Sequence, residues 1–324
     1  MKLINQSHQI INESDPYKLI ELCGRTCYKS EDKITSESNI KFVKMLKSLG
    51  HMSVFEHVYI ALTVPNETIR DIRNVQITEN MDVLTMPVID NTYITTSTFY
   101  NNIASGNLRA WMEFLQIPGI KVNSGIKAIA HYLYTVFPDL FPDIQYYGRE
   151  VLPIYKSEMH PNERVIHSVK TVKFITNRGV THEQITHRPI AKSQESTRYV
   201  KYNNDMEFIR PVWIDKEYIG NYTPTFKGED TSGHFIESCL LAELEYNNLL
   251  SDGWQPQQAR EVLPNALKTE IVITCTLREW YHIFKLRCSS KAHPQIRSLM
   301  QQTLKDFISE EPTIFEPLTN LLDN

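Results

Sequence analysis

The chain has 324 residues, room for one large domain or two ordinary ones. Its 34 lysines and arginines against 38 aspartates and glutamates give a net charge of −4, which argues against a general nucleic-acid binder. Apolar residues at 41% and charged residues at 22% place it among folded proteins and exclude a disordered chain.

The first fifteen residues, MKLINQSHQIINESD, lack an apolar run, so no secretory signal is expected. No segment approaches the roughly 18 apolar residues of a membrane span. Asp15-Pro16 pairs a cap with a proline at the first helical position and opens a helix. Ser36 is placed to cap a second helix. Its Phe42, Met45, Leu46 and Leu49 fall at i, i+3, i+4 and i+7, and Gly50 stops it. HVYIALTV (57–64) reads as a strand. Residues 65–165 differ in texture: a strand at 93–100, helices at 108–115 and 126–137, and prolines at 118, 138, 142, 153 and 161. No chemistry-bearing constellation is visible there, and the stretch reads as an inserted subdomain with a structural or assembly role.

SVKTVKFIT (168–176) reads as a strand, and 181–188 as a helix that Pro189 ends, which puts His187 and Arg188 at a helix end. Phe235, Cys239, Ala242, Tyr246 and Leu249 form one helix face. TEIVITC (269–275) is a strand. Thr276 and Glu279 then form a capping box for a helix that turns Leu277, Trp280, Tyr281 and Phe284 inward. A last helix starts near Pro294 with Ile296, Met300, Leu304 and Phe307 inward. Helices and strands mix throughout, so the class is α/β or α+β.

Five cysteines at 23, 27, 239, 275 and 288 are odd in number and contain no CxxC; free thiols in a reducing cytosol fit them better than disulfides or a zinc finger. Eleven glycines are about half the usual share of about 7%, and neither GxGxxG nor GxxxxGK[ST] occurs. His182-Glu183 invites comparison with HExxH, but the next histidine, His187, is five residues on and about 140° round a helix, so no metal site is expected. THRPIAKSQESTRY gathers Arg188, Glu195, Ser196 and Arg198, which suits a polar anionic ligand or, equally, a solvated turn. Arg260, Arg278 and Arg287 recur in the last third. Arg278 and His282 share a helix face away from Trp280, and such forks hold phosphate well if they converge in space; otherwise they are surface salt bridges. No GxSxG elbow and no paired nucleophile and base are visible.

THRPIAKSQESTRY resembles the RHR-x7-S signature of the flavin-dependent thymidylate synthases. CGRTCYKSEDKI and GHMSVFEH resemble that family's N-terminal segments, and AREVLPNALKTEIVITCTLREWYHIFKLRCSSKAHPQIR its C-terminal one. The blocks cover roughly residues 20–60 and 168–300 in the family's order. The resemblance implies a mixed sheet flanked by helices, with 1–64 and 166–324 as the family core and 65–165 as an insert. It implies methylation of deoxyuridine monophosphate (dUMP) to thymidylate, methylenetetrahydrofolate as carbon donor, and FAD reduced by NADPH as hydride source. It also implies a cytoplasmic homotetramer with flavin sites between subunits, acting on small molecules, with no nucleic-acid or membrane partner.

Residue by residue, the resemblance assigns Ser53, Glu56, His187, Arg188, Arg278 and His282 to FAD. It assigns Glu183, Glu195, Ser196, Arg198, Arg260 and Arg287 to dUMP, and Arg287, Ser196 and His51 to catalysis, Arg287 as the group that polarises the uracil. The sequence departs from the family pattern at three points. Thr186 stands where the first arginine of RHR belongs. Gln194 takes the aligned place of the usual acid, with Glu195 one position later. Lys291 stands where a histidine is common, with His293 nearby. Two other functions compete: a nucleotide-binding transferase or hydrolase without flavin, and a catalytically degenerate scaffold.

Overall fold

The computed structural model describes residues 1–78, 94–98, 100–117, 120, 123–146, 148, 151–202 and 205–322. The chain begins β1 (Lys2–Ile4), β2 (Ser7–Ile11), α1 (Pro16–Tyr28), α2 (Ser38–Ser48), β3 (Tyr59–Thr63) and α3 (Asn66–Thr78). It continues β4 (Thr95–Ser97), β5 (Ile103–Asn107), α4 (Leu108–Phe114), α5 (Ser124–Val136), β6 (Leu152–Pro153) and α6 (Pro161–His167). Then come β7 (Val169–Asn177), α7 (Arg178–Gln184), β8 (Ala191–Gln194), β9 (Glu207–Ile209) and β10 (Gly220–Asn221). The chain closes with α8 (Thr231–Ser251), α9 (Pro256–Ala259), β11 (Lys268–Thr276), α10 (Leu277–Arg287), α11 (Pro294–Glu310) and α12 (Pro312–Phe315). The class is mixed α/β, as the sequence predicts.

The central sheet has the order β2-β7-β11-β8 and is antiparallel throughout. β7 and β11 pair over their full length, from Lys268 opposite Asn177 to Thr276 opposite Val169. β11 is covered on both faces, one lined by Ile271, Ile273 and Cys275 and the other by Val272 among Lys268, Glu270, Thr274 and Thr276. Ile271, Ile273 and Cys275 join the core of α10, α11 and α12, while Val272 joins the core under α1 and α2. Trp280, Phe284, Phe307 and Phe315 interlock on the first side, and the Trp280 indole donates to the Lys170 carbonyl at 3.0 Å, so its polar atom is satisfied. A smaller sheet, β10-β1-β9, packs against α8 through Leu3, Phe208, Cys239 and Tyr246.

The third sheet, β4-β5-β3-β6, binds residues 65–165 to the rest of the chain. Its one strand from outside that stretch, β3, pairs with β5 from Tyr59 opposite Asn107 to Thr63 opposite Ile103. Helices α4 and α5 share a continuous apolar core with α1 and α2. The strand expected at 93–100 is seen at Thr95–Ser97; Tyr93 and Phe99 lie outside the described residues, as does the proline at 118.

Several local expectations change. The second helix begins at Ser38 rather than after Ser36, and no side chain caps it; the Ser38 hydroxyl instead accepts from the Thr35 amide at 2.9 Å. Met45 and Leu49 are 41% and 58% exposed, because the face buried against α1 is Phe42, Val43 and Leu46. Gly50 stops the helix as predicted, at φ +72°, which glycine adopts without steric cost. Helix α7 spans Arg178–Gln184, not 181–188: Asn177 caps it by accepting from the Val180 amide at 2.8 Å, and the chain leaves the helix well before Pro189. Only half of the capping box at α10 forms. Thr276 accepts from the Glu279 amide at 3.3 Å, but Thr276 still pairs with Val169 in the sheet, and the Glu279 carboxylate turns to His187.

Candidate functional site

A cavity of about 620 Å³ opens where the end of β11 turns into α10. The Thr276 cap fixes that turn, and the inward stripe of α10 points Arg278, His282 and Leu286 outward along the cavity. The opposite wall is the turn after α7, with Thr186, His187 and Arg188. Glu56, Tyr59, Thr95, Asn107, Ile166 and Val169 close the remaining side. A volume of this size lies in the range of small-molecule and cofactor sites.

Arg287, at the last turn of α10, ties the two walls together. Its Nε donates to His187 Nε2 at 3.1 Å, and its Nη1 donates to Glu183 Oε2 at 2.9 Å. Its Nη2 donates to the Glu183 carbonyl at 2.8 Å and to Thr186 Oγ1 at 2.9 Å. A guanidinium has five N–H groups, so four are committed within the chain. The Thr186 hydroxyl donates in turn to the Glu183 carbonyl at 2.7 Å. Thr186 therefore accepts a bond from Arg287 at the position where the family pattern has an arginine.

The same arrangement decides what His187 can do. Because Arg287 donates to Nε2, that nitrogen must offer its lone pair, and the neutral ring carries its proton on Nδ1. Nδ1 faces Glu279 Oε1 at 3.6 Å. His187, Glu279 and His282 bring ligand atoms within 4.8 Å of one another, a spacing that would suit a cation. With its proton on Nδ1, however, His187 has no lone pair to give one there. The trio forms a polar corner of the cavity.

Of the residues assigned to flavin, Glu56, His187, Arg188, Arg278 and His282 line this cavity, and Ser53 is exposed outside it. Glu56 accepts from Arg109 Nη1 at 2.8 Å, and Arg109 Nε donates to Glu113 at 2.7 Å, so α4 holds that carboxylate in place. Of the residues assigned to dUMP, Arg287 lines the cavity and Glu183 is bound to it.

Glu195, Ser196, Arg198 and Arg260 gather elsewhere, past the far end of β8. The Ser196 amide donates to the Cys27 carbonyl at 3.1 Å, and Arg260 Nη1 donates to Thr197 Oγ1 at 3.4 Å. Arg198 is exposed, with its guanidinium 5.5 Å from the Tyr199 ring. Tyr199 packs 5.7 Å from Tyr28, whose hydroxyl is 2.9 Å from His51 Nδ1. Glu195 is 2% exposed. It accepts from the Tyr202 hydroxyl at 2.8 Å and has Lys29 and Lys268 each at 3.6 Å, which makes it a buried counter-ion. Gln194 turns the other way and donates to Thr181 Oγ1 at 2.9 Å. Within one chain the assigned residues thus form two groups, one at the cavity and one around Ser196.

Sequence reasoning missed Tyr59, Thr95 and Asn107 on the wall, and saw Glu279 only as a helix cap. Two buried histidines stand behind the wall. His57 lies 2.8 Å from Thr274 Oγ1 and 3.0 Å from Ser193 Oγ, and burial pulls it down to about 3. Burial likewise pulls His167 down to about 4, against a smaller upward pull from Glu163. Burial pushes all five free cysteine thiols up, to about 12 at Cys239 and Cys288, so none is poised as a nucleophile. Among the described residues no helix is long and apolar enough to cross a membrane.

A family profile described as "Thymidylate synthase complementing protein" matches residues 9–70 and 160–313. The flavin-dependent thymidylate synthase of Geobacter sulfurreducens is 35% identical over 139 residues, 43% of this chain and 56% of the relative. The enzyme of the same name from Mycolicibacterium gilvum is 34% identical over 143 residues, 43% of this chain and 57% of the relative. The chain therefore spans a little over half the length of these curated relatives. A crystal structure of a UMP/dUMP methylase, PolB from Streptomyces cacaoi, bound with 5-Br dUMP, superposes over 99% of this chain with a TM-score of 0.42 and 14% identity. At that level the likeness carries neither fold nor function.

Proposed function

Because this chain belongs to the family described as thymidylate synthase complementing protein, we propose that it is a flavin-dependent thymidylate synthase, methylating dUMP to thymidylate. The observation that carries the proposal is the cavity at the start of α10, where Arg188, Arg278, His187 and His282 meet in one space of about 620 Å³. The residues fit FAD. Two exposed guanidinium forks suit a pyrophosphate, the imidazoles and Asn107 suit polar ring atoms, and Ile166, Val169 and Leu286 suit an aromatic face. FAD, reduced by NADPH, supplies the hydride when bound, and methylenetetrahydrofolate supplies the carbon.

The chain's own residues do the rest. Arg278 and Arg188 hold negative charge. Arg287 fixes His187 in one tautomer and locks the turn that carries Arg188. Ser196, Arg198 and Arg260 form the nucleotide group, Arg198 and Arg260 gripping the phosphate, with His51 beside them through Tyr28 and Tyr199. In a homotetramer the Ser196 group of one subunit faces the cavity of another, which brings the two groups into one active site. The raised cysteine thiols agree with chemistry that needs no thiolate. We assign residues 1–64 and 166–324 to the family core and place the protein in the cytoplasm.

The test is a visible spectrum of the purified protein with and without FAD, followed by turnover with dUMP, methylenetetrahydrofolate and NADPH. A bound-flavin spectrum, thymidylate, and tetrahydrofolate rather than dihydrofolate are expected. Turnover without FAD, or dihydrofolate as the folate product, sinks the proposal.

A further inference from the structure

Residues 71–159 lie outside the family match, yet β4 and β5 come from this stretch and Thr95 and Asn107 stand on the cavity wall. Behind that wall a line of four hydrogen-bonding side chains runs from the protein interior to the cavity. Ser97 Oγ lies 2.9 Å from His167 Nε2. His167 Nδ1 lies 2.7 Å from Ser105 Oγ, and Ser105 Oγ lies 2.9 Å from the Tyr59 hydroxyl. Ser97, Ser105 and His167 are buried, whereas Tyr59 lines the cavity beside Thr95.

A polar line of this length is costly in a core unless every member is paired, and here every member is. Burial keeps His167 neutral at neutral pH and raises the Tyr59 phenol, so both residues are uncharged. A neutral imidazole has one N–H and one lone pair, so its two serine partners play opposite roles. With the proton on Nδ1, the ring donates to Ser105, Ser105 donates to Tyr59, and the phenol proton turns to the cavity wall, where Thr95 and a bound ligand compete for it. With the proton on Nε2, the ring donates to Ser97, Ser105 donates to Nδ1, and Tyr59 donates to Ser105, which turns the phenol lone pairs to Thr95 and to a ligand beside it. The buried ring thus sets whether Tyr59 offers a ligand a donor or an acceptor.

We propose that Tyr59 is a further ligand-contacting residue of the cavity, with Ser105 and His167 as positioning residues that aim its hydroxyl at the bound flavin. A flavin ring edge presents carbonyl acceptors and an N–H donor, which matches a hydroxyl able to play either part. The inference rests on the flavin reading of the cavity. It gives the inserted strands a role at the site, where the sequence predicts only a structural or assembly role.

The experiment titrates FAD into the full-length protein and into Tyr59→Phe, Ser105→Ala and the double variant. Flavin fluorescence, the absorbance of bound flavin and the thermal midpoint are read for each. Tyr59→Phe keeps the ring and removes only the hydroxyl. It is expected to weaken FAD binding about five- to tenfold, the worth of one hydrogen bond, and to shift the flavin absorbance. Ser105→Ala is expected to weaken binding as well, and the double variant to match Tyr59→Phe within about twofold, because Ser105 acts through Tyr59. If Ser105→Ala does not fold, Ser105→Cys, near in size and a far weaker hydrogen bonder, takes its place. Tyr59→Phe with parental affinity and spectrum, or two single effects that multiply in the double variant, overturns the assignment. A parental protein that binds no FAD overturns the flavin reading and the assignment together.

Discussion

Replacing Arg287 with alanine tests whether it is a free substrate arginine or the brace that the structure shows. Its guanidinium donates four charge-assisted bonds, one to the Glu183 carboxylate and three to uncharged acceptors: the Glu183 carbonyl, Thr186 Oγ1 and His187 Nε2. A buried hydrogen bond to a charged group is worth about 1.5–3 kcal/mol, and the four share one side chain, so their values do not add in full. The Glu183 and Arg287 side chains are 32% and 19% exposed, so water and salt replace much of the ionic part. The stability loss is then about 2–3 kcal/mol, on the order of 5 °C in thermal midpoint for a chain of this size.

A purely substrate-gripping arginine would lose dUMP affinity about ten- to a hundredfold and leave FAD alone. A brace loses FAD affinity too, by about tenfold, because His187 and the turn bearing Arg188 come free. Lysine restores one contact to Glu183 but not the fork, so Arg287→Lys recovers part of the midpoint and little FAD affinity. The assay is differential scanning calorimetry with parallel FAD and dUMP titrations. An Arg287→Ala protein with parental midpoint and parental FAD affinity refutes the brace.

Arg109→Met frees the Glu56 carboxylate from its partner on α4 and is expected to weaken FAD binding about three- to tenfold while leaving dUMP binding within twofold; isothermal titration with each ligand checks it. Arg198→Ala is expected to do the opposite, weakening dUMP binding about tenfold or more with FAD unchanged, and equal losses for both ligands would remove it from the nucleotide group. His57 and His167 have folded-state pKa values near 3 and 4, below an unfolded value near 6.5. The unfolded chain takes up protons that the native state refuses, so stability is full above about pH 6.5 and falls as pH drops toward 4. Each histidine contributes about 1.4 kcal/mol per pH unit in that window. His57→Gln should therefore halve the slope attributable to the pair in urea midpoints measured from pH 7 to 4.5, and an unchanged slope counts against a neutral buried His57.

What could be read in advance depended on range along the chain. The helix α10 is written locally: a threonine cap, an apolar stripe at helical spacing, and Arg278 and His282 four apart on the other face. Its cavity-facing side was legible because the inward side is so clearly Leu277, Trp280 and Phe284. The stripe of α2 overstates the buried face because apolar residues at i, i+3, i+4 and i+7 say which face could be buried, not how much of it finds a neighbour. Met45 and Leu49 find none within the described chain deep enough to cover them.

The cavity itself lay beyond reach for the same reason. Tyr59 and Ser105 are 46 residues apart, Ser105 and His167 are 62 apart, and Glu183 and Arg287 are 104 apart. Nothing in a local pattern says that they meet. Residues 65–165 looked chemically silent because their serines, threonines and Arg109 are ordinary one at a time. They acquire meaning only when β5 pairs with β3 and sets Ser105 beside Tyr59. Thr186 shows the converse. As a departure from a motif it reads as a lost cation, yet in the folded chain its hydroxyl accepts a bond from the arginine at position 287 and passes one on to the Glu183 carbonyl. A departure of this kind is judged by whether the groups it touches remain paired, and here Arg287 and the Glu183 carbonyl do. Thr186→Val, which keeps the shape and removes the hydroxyl, should therefore loosen Arg287 and lower FAD affinity by about threefold. If Thr186→Val binds FAD as the parent does, the hydroxyl is incidental and the lost arginine is compensated elsewhere.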